Sequence, residues 1–111
     1  LPVADETYDY ILCSDVFEHL PDPEAALKEL SRVLKKGGDI LITAPFRCFY
    51  HQNPYFFFSG FSKYWFKRIS DSENLKIKKL IQNGNYYNDL AYDILRINVN
   101  LHSSPPPPSP L

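Results

Sequence analysis

The chain has 111 residues with 44% hydrophobic and 23% charged content, enough for one globular domain and unlike a coiled coil, a collagen or a wholly disordered chain. No apolar run reaches the roughly 18 residues of a membrane span, and a net charge of −1 leaves no general electrostatic footprint for nucleic acid. Two cysteines are too few for a disulfide framework and no signal peptide is evident, so a reducing, cytoplasmic location is expected.

In chain order, Asp5-Glu6-Thr7 reads as a turn before Tyr8 to Cys13, a short β-branched, aromatic and apolar run that predicts a buried strand. Phe17 to Leu20 predicts a short helical turn. Asp22 is a good N-cap and Pro23 suits the first helical position. Ala26, Leu27, Leu30, Val33 and Leu34 then recur at helical spacing. Lys35-Lys36 and Gly37-Gly38 read as the end of that helix, the bases facing its dipole and the glycines stopping it. Asp39 to Ala44, closed by Pro45, predicts a second strand. A continuous apolar strand implies burial on both faces, so this strand–helix–strand unit predicts a parallel sheet between helical layers.

Past Pro45 the chain turns aromatic, from Phe49 to Phe66, and Ser62 predicts a helix cap with the helix running to about Ile69. Asp71 to Asn74 reads as a polar loop, and Leu75 to Gln82 as an edge strand or bulged strand interrupted by Lys79. Asn83-Gly84-Asn85 predicts a turn, and Tyr86, Tyr87, Leu90, Ala91, Ile94 and Leu95 outline a last helix. Five of the ten prolines fall in the last seven residues, which predicts an extended or disordered tail from residue 98 onward. Leu1 to Asp39 carries nine acids against four bases, and Ile40 to Leu80 seven bases against two acids. This asymmetry reads as two solvated faces.

In open parallel sheets ligands bind beyond the carboxyl ends of the strands. That rule selects Cys13-Ser14-Asp15 and Ala44-Pro45-Phe46-Arg47, with the aromatic stretch as their cover.

The ordered series Leu1-Pro2, Tyr8 to Leu20 with Glu18-His19, the helix from Pro23, Lys35-Lys36-Gly37-Gly38 and the strand to Ala44 resembles class I S-adenosylmethionine-dependent methyltransferases. The nearest type is the small-molecule and lipid group called methyltransferase type 11. His51 to Tyr55 and Phe58 to Ser62 also resemble a lid-like segment in some members, so the resemblance extends from Leu1 to about Ile97. It implies an α/β fold, a partial doubly wound, Rossmann-like sheet with flanking helices whose N-terminal strands are missing. Residues 1–97 would be the C-terminal part of such a domain and 98–111 a disordered Pro-rich tail. The family's Gly-x-Gly-x-Gly loop does not occur among the four glycines of this chain, and the acid that holds the ribose is absent too. Truncation before Leu1 is the expectation that follows.

The resemblance implies S-adenosyl-L-methionine as cofactor and a small-molecule or lipid-like methyl acceptor. By position, Leu1 would flank the adenine, while Cys13 and Ser14 would face the methionine end of the cofactor, largely through backbone atoms. Asp15, His51 and Tyr55 would face the acceptor. His19 is the first candidate and His51 the second for a general base, needed where the acceptor loses a proton as it reacts. A structural reading stands beside each: His19 bonded to a backbone carbonyl, Cys13 as a small packed residue, the aromatics as cover for the sheet end.

Cys13 with His19, and Cys48 with His51, could in principle gather as four zinc ligands, but five intervening residues in the first pair match no familiar knuckle, and no metal is expected there. A non-catalytic alternative is a truncated pseudoenzyme whose Pro105 to Pro110 tail docks an aromatic groove. A sheet lacking its first strands exposes an edge and an apolar face, so self-association of the chain is expected.

Overall fold

A computed structural model of the chain describes residues 1–91 and Ile94. The chain divides into two compact units, Leu1–Leu80 and Ile81–Leu111. The first runs β1 (Tyr8–Ser14), a 3₁₀ turn (Phe17–His19), α1 (Pro23–Val33), β2 (Leu34–Thr43) and α2 (Lys63–Ser72). In the second, residues 86–91 are helical, and Asn85 Oδ1 accepts from the backbone N–H groups of Tyr87 and Asn88 at 3.0 and 3.1 Å. Gly84 takes φ +81° just before this cap. Leu95, the 97/98 boundary and the proline tail lie outside the described residues.

β1 and β2 pair in parallel, as the strand–helix–strand pattern predicts, with Ile11 opposite Ile40, Leu12 opposite Leu41 and Ser14 opposite Thr43. α1 starts where its sequence says: Asp22 Oδ1 accepts from the backbone N–H of Ala25 at 2.9 Å, and Pro23 occupies the first turn. Such a cap stabilises a helix by roughly 1 kcal/mol. Ser62 caps α2 likewise, accepting from the backbone N–H of Trp65 at 3.2 Å. α2 runs on to Ser72, taking in two residues expected in the following loop.

Three expectations are corrected. First, α1 ends at Val33, and Leu34 to Gly38 belong to β2. The register passes from Tyr8 opposite Leu34 to Tyr10 opposite Asp39, so Lys35, Lys36, Gly37 and Gly38 bulge against the single residue Asp9. The glycines serve that bulge instead of a helix stop. Gly37 takes φ +79°, and a Cβ on Gly38 would lie 2.8 Å from the carbonyl oxygen of Asp9. Lys35 then reaches Asp9 at 2.8 Å instead of facing a helix terminus.

Second, the sheet is covered on one face only. Ile11, Cys13, Ile40 and Ile42 are half-buried, whereas Tyr10, Leu12 and Leu41 are exposed at 78%, 71% and 63%. With successive side chains on opposite faces, these values place one apolar face of the pair in the open. Third, Leu75 to Gln82 forms no strand. Leu75 packs on the core and donates its N–H to the carbonyl of Ser70 at 2.9 Å, while Lys78 pairs with Asp39. The bases that interrupt the run are solvated, and β1 and β2 take each other as partners.

The core lies under the carboxyl halves of the strands. Phe17, Leu27, Phe61 and Ile69 are buried together, with Cys13, Leu30, Ile42, Phe58 and Trp65 packed around them. Phe17 meets the rings of Phe61 and Trp65 edge-on at centroid distances of 6.2 and 6.0 Å. The 3₁₀ turn is therefore fixed by the aromatic segment that follows β2. At the other end of the strands, Arg32 bonds Glu29, Asp5 and the carbonyl of Val3, tying the first residues to α1.

Candidate functional site

The carboxyl ends of β1 and β2 bring Ser14, Asp15 and Thr43 together. Ser14 Oγ lies 2.8 Å from Thr43 Oγ1, and the backbone N–H of Asp15 donates to the carbonyl of Thr43 at 2.9 Å. Asp15 adopts φ +50°, a conformation uncommon outside glycine, which turns the chain sharply from β1 into the 3₁₀ turn. Its carboxylate stays exposed, 3.3 Å from the Ser14 hydroxyl. Thr43 carries no motif of its own in the sequence; its one signal is its place beside the end of the predicted second strand.

Beside this rim the turn Phe17–His19 holds the segment after β2. The carbonyl of Glu18 accepts from the backbone N–H of Phe57 at 2.9 Å and of Phe58 at 3.3 Å. His19 Nδ1 donates to the carbonyl of Tyr55 at 2.5 Å, and His51 Nδ1 to the carbonyl of Phe49 at 2.7 Å. A carbonyl oxygen only accepts, so each Nδ1 carries a hydrogen. The two imidazole rings meet edge-on with centroids 4.9 Å apart. The segment itself is closed by Cys48 N–H to Ser59 O at 2.7 Å and Phe61 N–H to Pro45 O at 2.8 Å. Its aromatics divide by role: Phe58 and Phe61 join the core, while Phe46, Tyr50, Tyr55 and Phe57 remain exposed.

Glu18 has no role legible in the sequence. It is 3% exposed, and its Oε2 is a buried atom with no hydrogen-bond partner. Its Oε1 lies 3.7 Å from His19 Nε2. An orphaned buried acceptor costs roughly 1–3 kcal/mol, and more when charged. The signal was a carboxylate between Phe17 and Leu20 in a short apolar turn.

Cys13 is half-buried against the core, and burial, with Glu18 nearby, pushes its thiol pKa up. That environment disfavours a thiolate. Leu1 is not brought to the rim: its amino group pairs with Glu29 at 2.7 Å and its carbonyl faces Arg32, near the start of β1. His19, His51 and Tyr55 do converge, Tyr55 through its carbonyl oxygen.

Residues 1–42 match the family model described as Methyltransferase domain. The chain is 42% identical over 45 residues to the sarcosine/dimethylglycine N-methyltransferase of Halorhodospira halochloris, a stretch that is 40% of this chain and 16% of that protein. It is 43% identical over 42 residues to an uncharacterized protein of Methanocaldococcus jannaschii, covering 38% of this chain and 20% of the other. To the ubiquinone biosynthesis O-methyltransferase of Aliivibrio fischeri it is 34% identical over 38 residues, 34% of this chain and 16% of that protein. The chain thus matches about a fifth or less of the length of these relatives. The resemblance carried by Tyr8 to Leu20 and the following helix is borne out as a similarity: residues 1–42 match a methyltransferase domain model, and segments of similar length match named methyltransferases. No helix among the described residues is long and apolar enough to cross a membrane.

Proposed function

We propose that this chain supplies the C-terminal strands of a class I methyltransferase sheet and takes part in methyl transfer from S-adenosylmethionine to a small-molecule or lipid-like acceptor. Further strands of the doubly wound sheet would extend its edge, and their connecting helices would cover the face now bearing Tyr10, Leu12 and Leu41. The observation that carries the reading is the convergence of Ser14, Asp15 and Thr43 at the carboxyl ends of two parallel strands, beside the His19–His51 pair.

The residues present fit one end of the cofactor. S-adenosylmethionine supplies a methyl group already activated on a sulfonium, so the protein's main task is positioning. The ammonium of its methionine end donates hydrogen bonds, and the exposed Asp15 carboxylate, expected from the resemblance to face the acceptor, would here accept them together with the hydroxyls of Ser14 and Thr43. Cys13 would contribute packing at the same strand end. Leu1 would reach the adenine only with a different course of the first residues. His19 Nε2, the ring nitrogen left with a lone pair, would take a proton from acceptors that must lose one. His51, Tyr55 and the exposed aromatics Tyr50 and Phe57 would face an apolar or ring-shaped acceptor.

Isothermal titration of the whole protein from its source with S-adenosylhomocysteine tests this reading. Saturable binding, weakened roughly 10-fold by Asp15→Ala, supports it. Absence of binding overturns it and leaves the non-catalytic interaction protein as the better account.

A further inference from the structure

The geometry points to a binding site for a first-row divalent transition metal, of the zinc type, formed by Glu18, His19 and His51. One ligand atom from each of these residues lies within 4.8 Å of the others. Three features of the cluster fit a metal. Glu18 is a buried carboxylate whose Oε2 has no partner, and its Oε1 faces His19 Nε2 at 3.7 Å. In the neutral ring, with its hydrogen at Nδ1 toward Tyr55, Nε2 presents a lone pair to a carboxylate oxygen, and two acceptors face each other. A cation between them resolves that opposition.

The second feature is orientation. Ligating histidines as a rule donate their other ring N–H to a carbonyl or carboxylate, which fixes the tautomer and the ring. His19 does so to Tyr55 and His51 to Phe49. The third is donor type: two imidazoles and one carboxylate favour zinc and its neighbours over magnesium or calcium. Metal–ligand bonds of about 2.0–2.2 Å put tetrahedral ligands about 3.4 Å apart, so closing the cluster takes side-chain movements on the order of an ångström. Three protein ligands also leave a fourth position open. Neither Cys13 nor Cys48 belongs to the cluster, so this site differs from the four-ligand zinc set considered for the sequence.

Because Glu18 and His19 sit on the 3₁₀ turn and His51 on the segment after β2, a bound ion would clip that segment across the strand ends. A metal on Nε2 and a proton accepted there exclude one another, so occupancy bears on the role given to His19 without depending on cofactor binding.

Titrating the chelator-treated full chain with Co²⁺, and competing with Zn²⁺, tests the site by the visible absorption of bound cobalt. The expected result is one ion per chain, displaced by zinc, with at least about 100-fold weaker binding in His51→Ala and in Glu18→Gln. Cys13→Ser and Cys48→Ser should leave the spectrum and affinity unchanged. His51 lies on a half-exposed loop, so its variant keeps the test valid should Glu18→Gln fail to fold. No saturable binding, or binding indifferent to His51→Ala, overturns the proposal. Loss of binding only in the cysteine variants overturns it in favour of a thiolate site.

Discussion

His19 Nδ1 and the carbonyl oxygen of Tyr55 lie 2.5 Å apart although 36 positions separate them in the chain. This bond and the two backbone bonds to the Glu18 carbonyl fasten the aromatic segment to the turn after β1. Removing the imidazole in His19→Ala should cost about 0.5–1.5 kcal/mol and loosen residues 49–58 selectively. Hydrogen exchange should rise at Phe57 and Phe58 while the amides of β1 and β2 stay protected. Uniform exchange across the chain would count against a local fastening role.

Gly60 supports the same segment by close approach. A Cβ there would lie 1.9 Å from the carbonyl oxygen of Phe46, a contact with backbone that no side-chain movement relieves. Gly60→Ala is expected to displace the Pro45–Phe61 bond and lower stability by roughly 1–3 kcal/mol or more. Urea denaturation of the variant beside the parent chain measures it.

Leu27 is 1% exposed and sits in the cluster with Phe17, Phe61 and Ile69. Leu27→Ala should lower stability by about 2–5 kcal/mol through lost burial and the cavity left behind. The neighbouring Lys28→Ala, on the exposed face of α1, should stay within about 0.5 kcal/mol of the parent.

Hydrogen bonds from Arg32, and then from the Leu1 amino group, lower the Glu29 carboxyl from 4.5 to about 2. A depressed folded-state value means the contribution to stability is present above the unfolded value of 4.5 and is lost as pH falls toward about 2. The difference in melting temperature between the parent and Glu29→Gln should therefore be constant near neutral pH and shrink between about pH 4.5 and pH 2. A difference that grows on acidification would contradict the assignment.

Leu12 and Leu41 stand opposite each other with their faces open. The chain by itself is expected to associate through this face, and Leu41→Lys should reduce the association. Sedimentation velocity decides: a monomer with a sharp cooperative melt would show that the open face is tolerated.

Much of this architecture was legible in residue order. Asp22-Pro23 and the spacing of Leu27, Leu30 and Val33 specify α1, and Ser62 specifies the start of α2, because caps and periodicity are local signals. The Lys35 to Gly38 bulge was not legible: two glycines after a helix serve a stop or a strand bulge equally well, and the choice depends on Asp9, 26 positions from Lys35. Leu75 to Gln82 has strand-like composition, but a strand exists only with a partner edge. At the site, the strand-end rule placed Ser14 and Asp15 from sequence, whereas Glu18 gained its interest only once burial and an orphaned oxygen were visible.

The unequal register of β1 and β2 also sets where this domain can absorb changes in length. Four residues of β2 already oppose one of β1 between the Tyr8–Leu34 and Tyr10–Asp39 pairs. A residue lost or gained among Lys35, Lys36 and the glycines would alter only the size of that bulge. Deletion of Leu41 would instead shift the strand beyond it by one position, sending Ile42 to the open face and Thr43 toward the covered one. The bulge thus confines length variation to the end of the sheet remote from Ser14 and Thr43, and keeps the register at the rim intact.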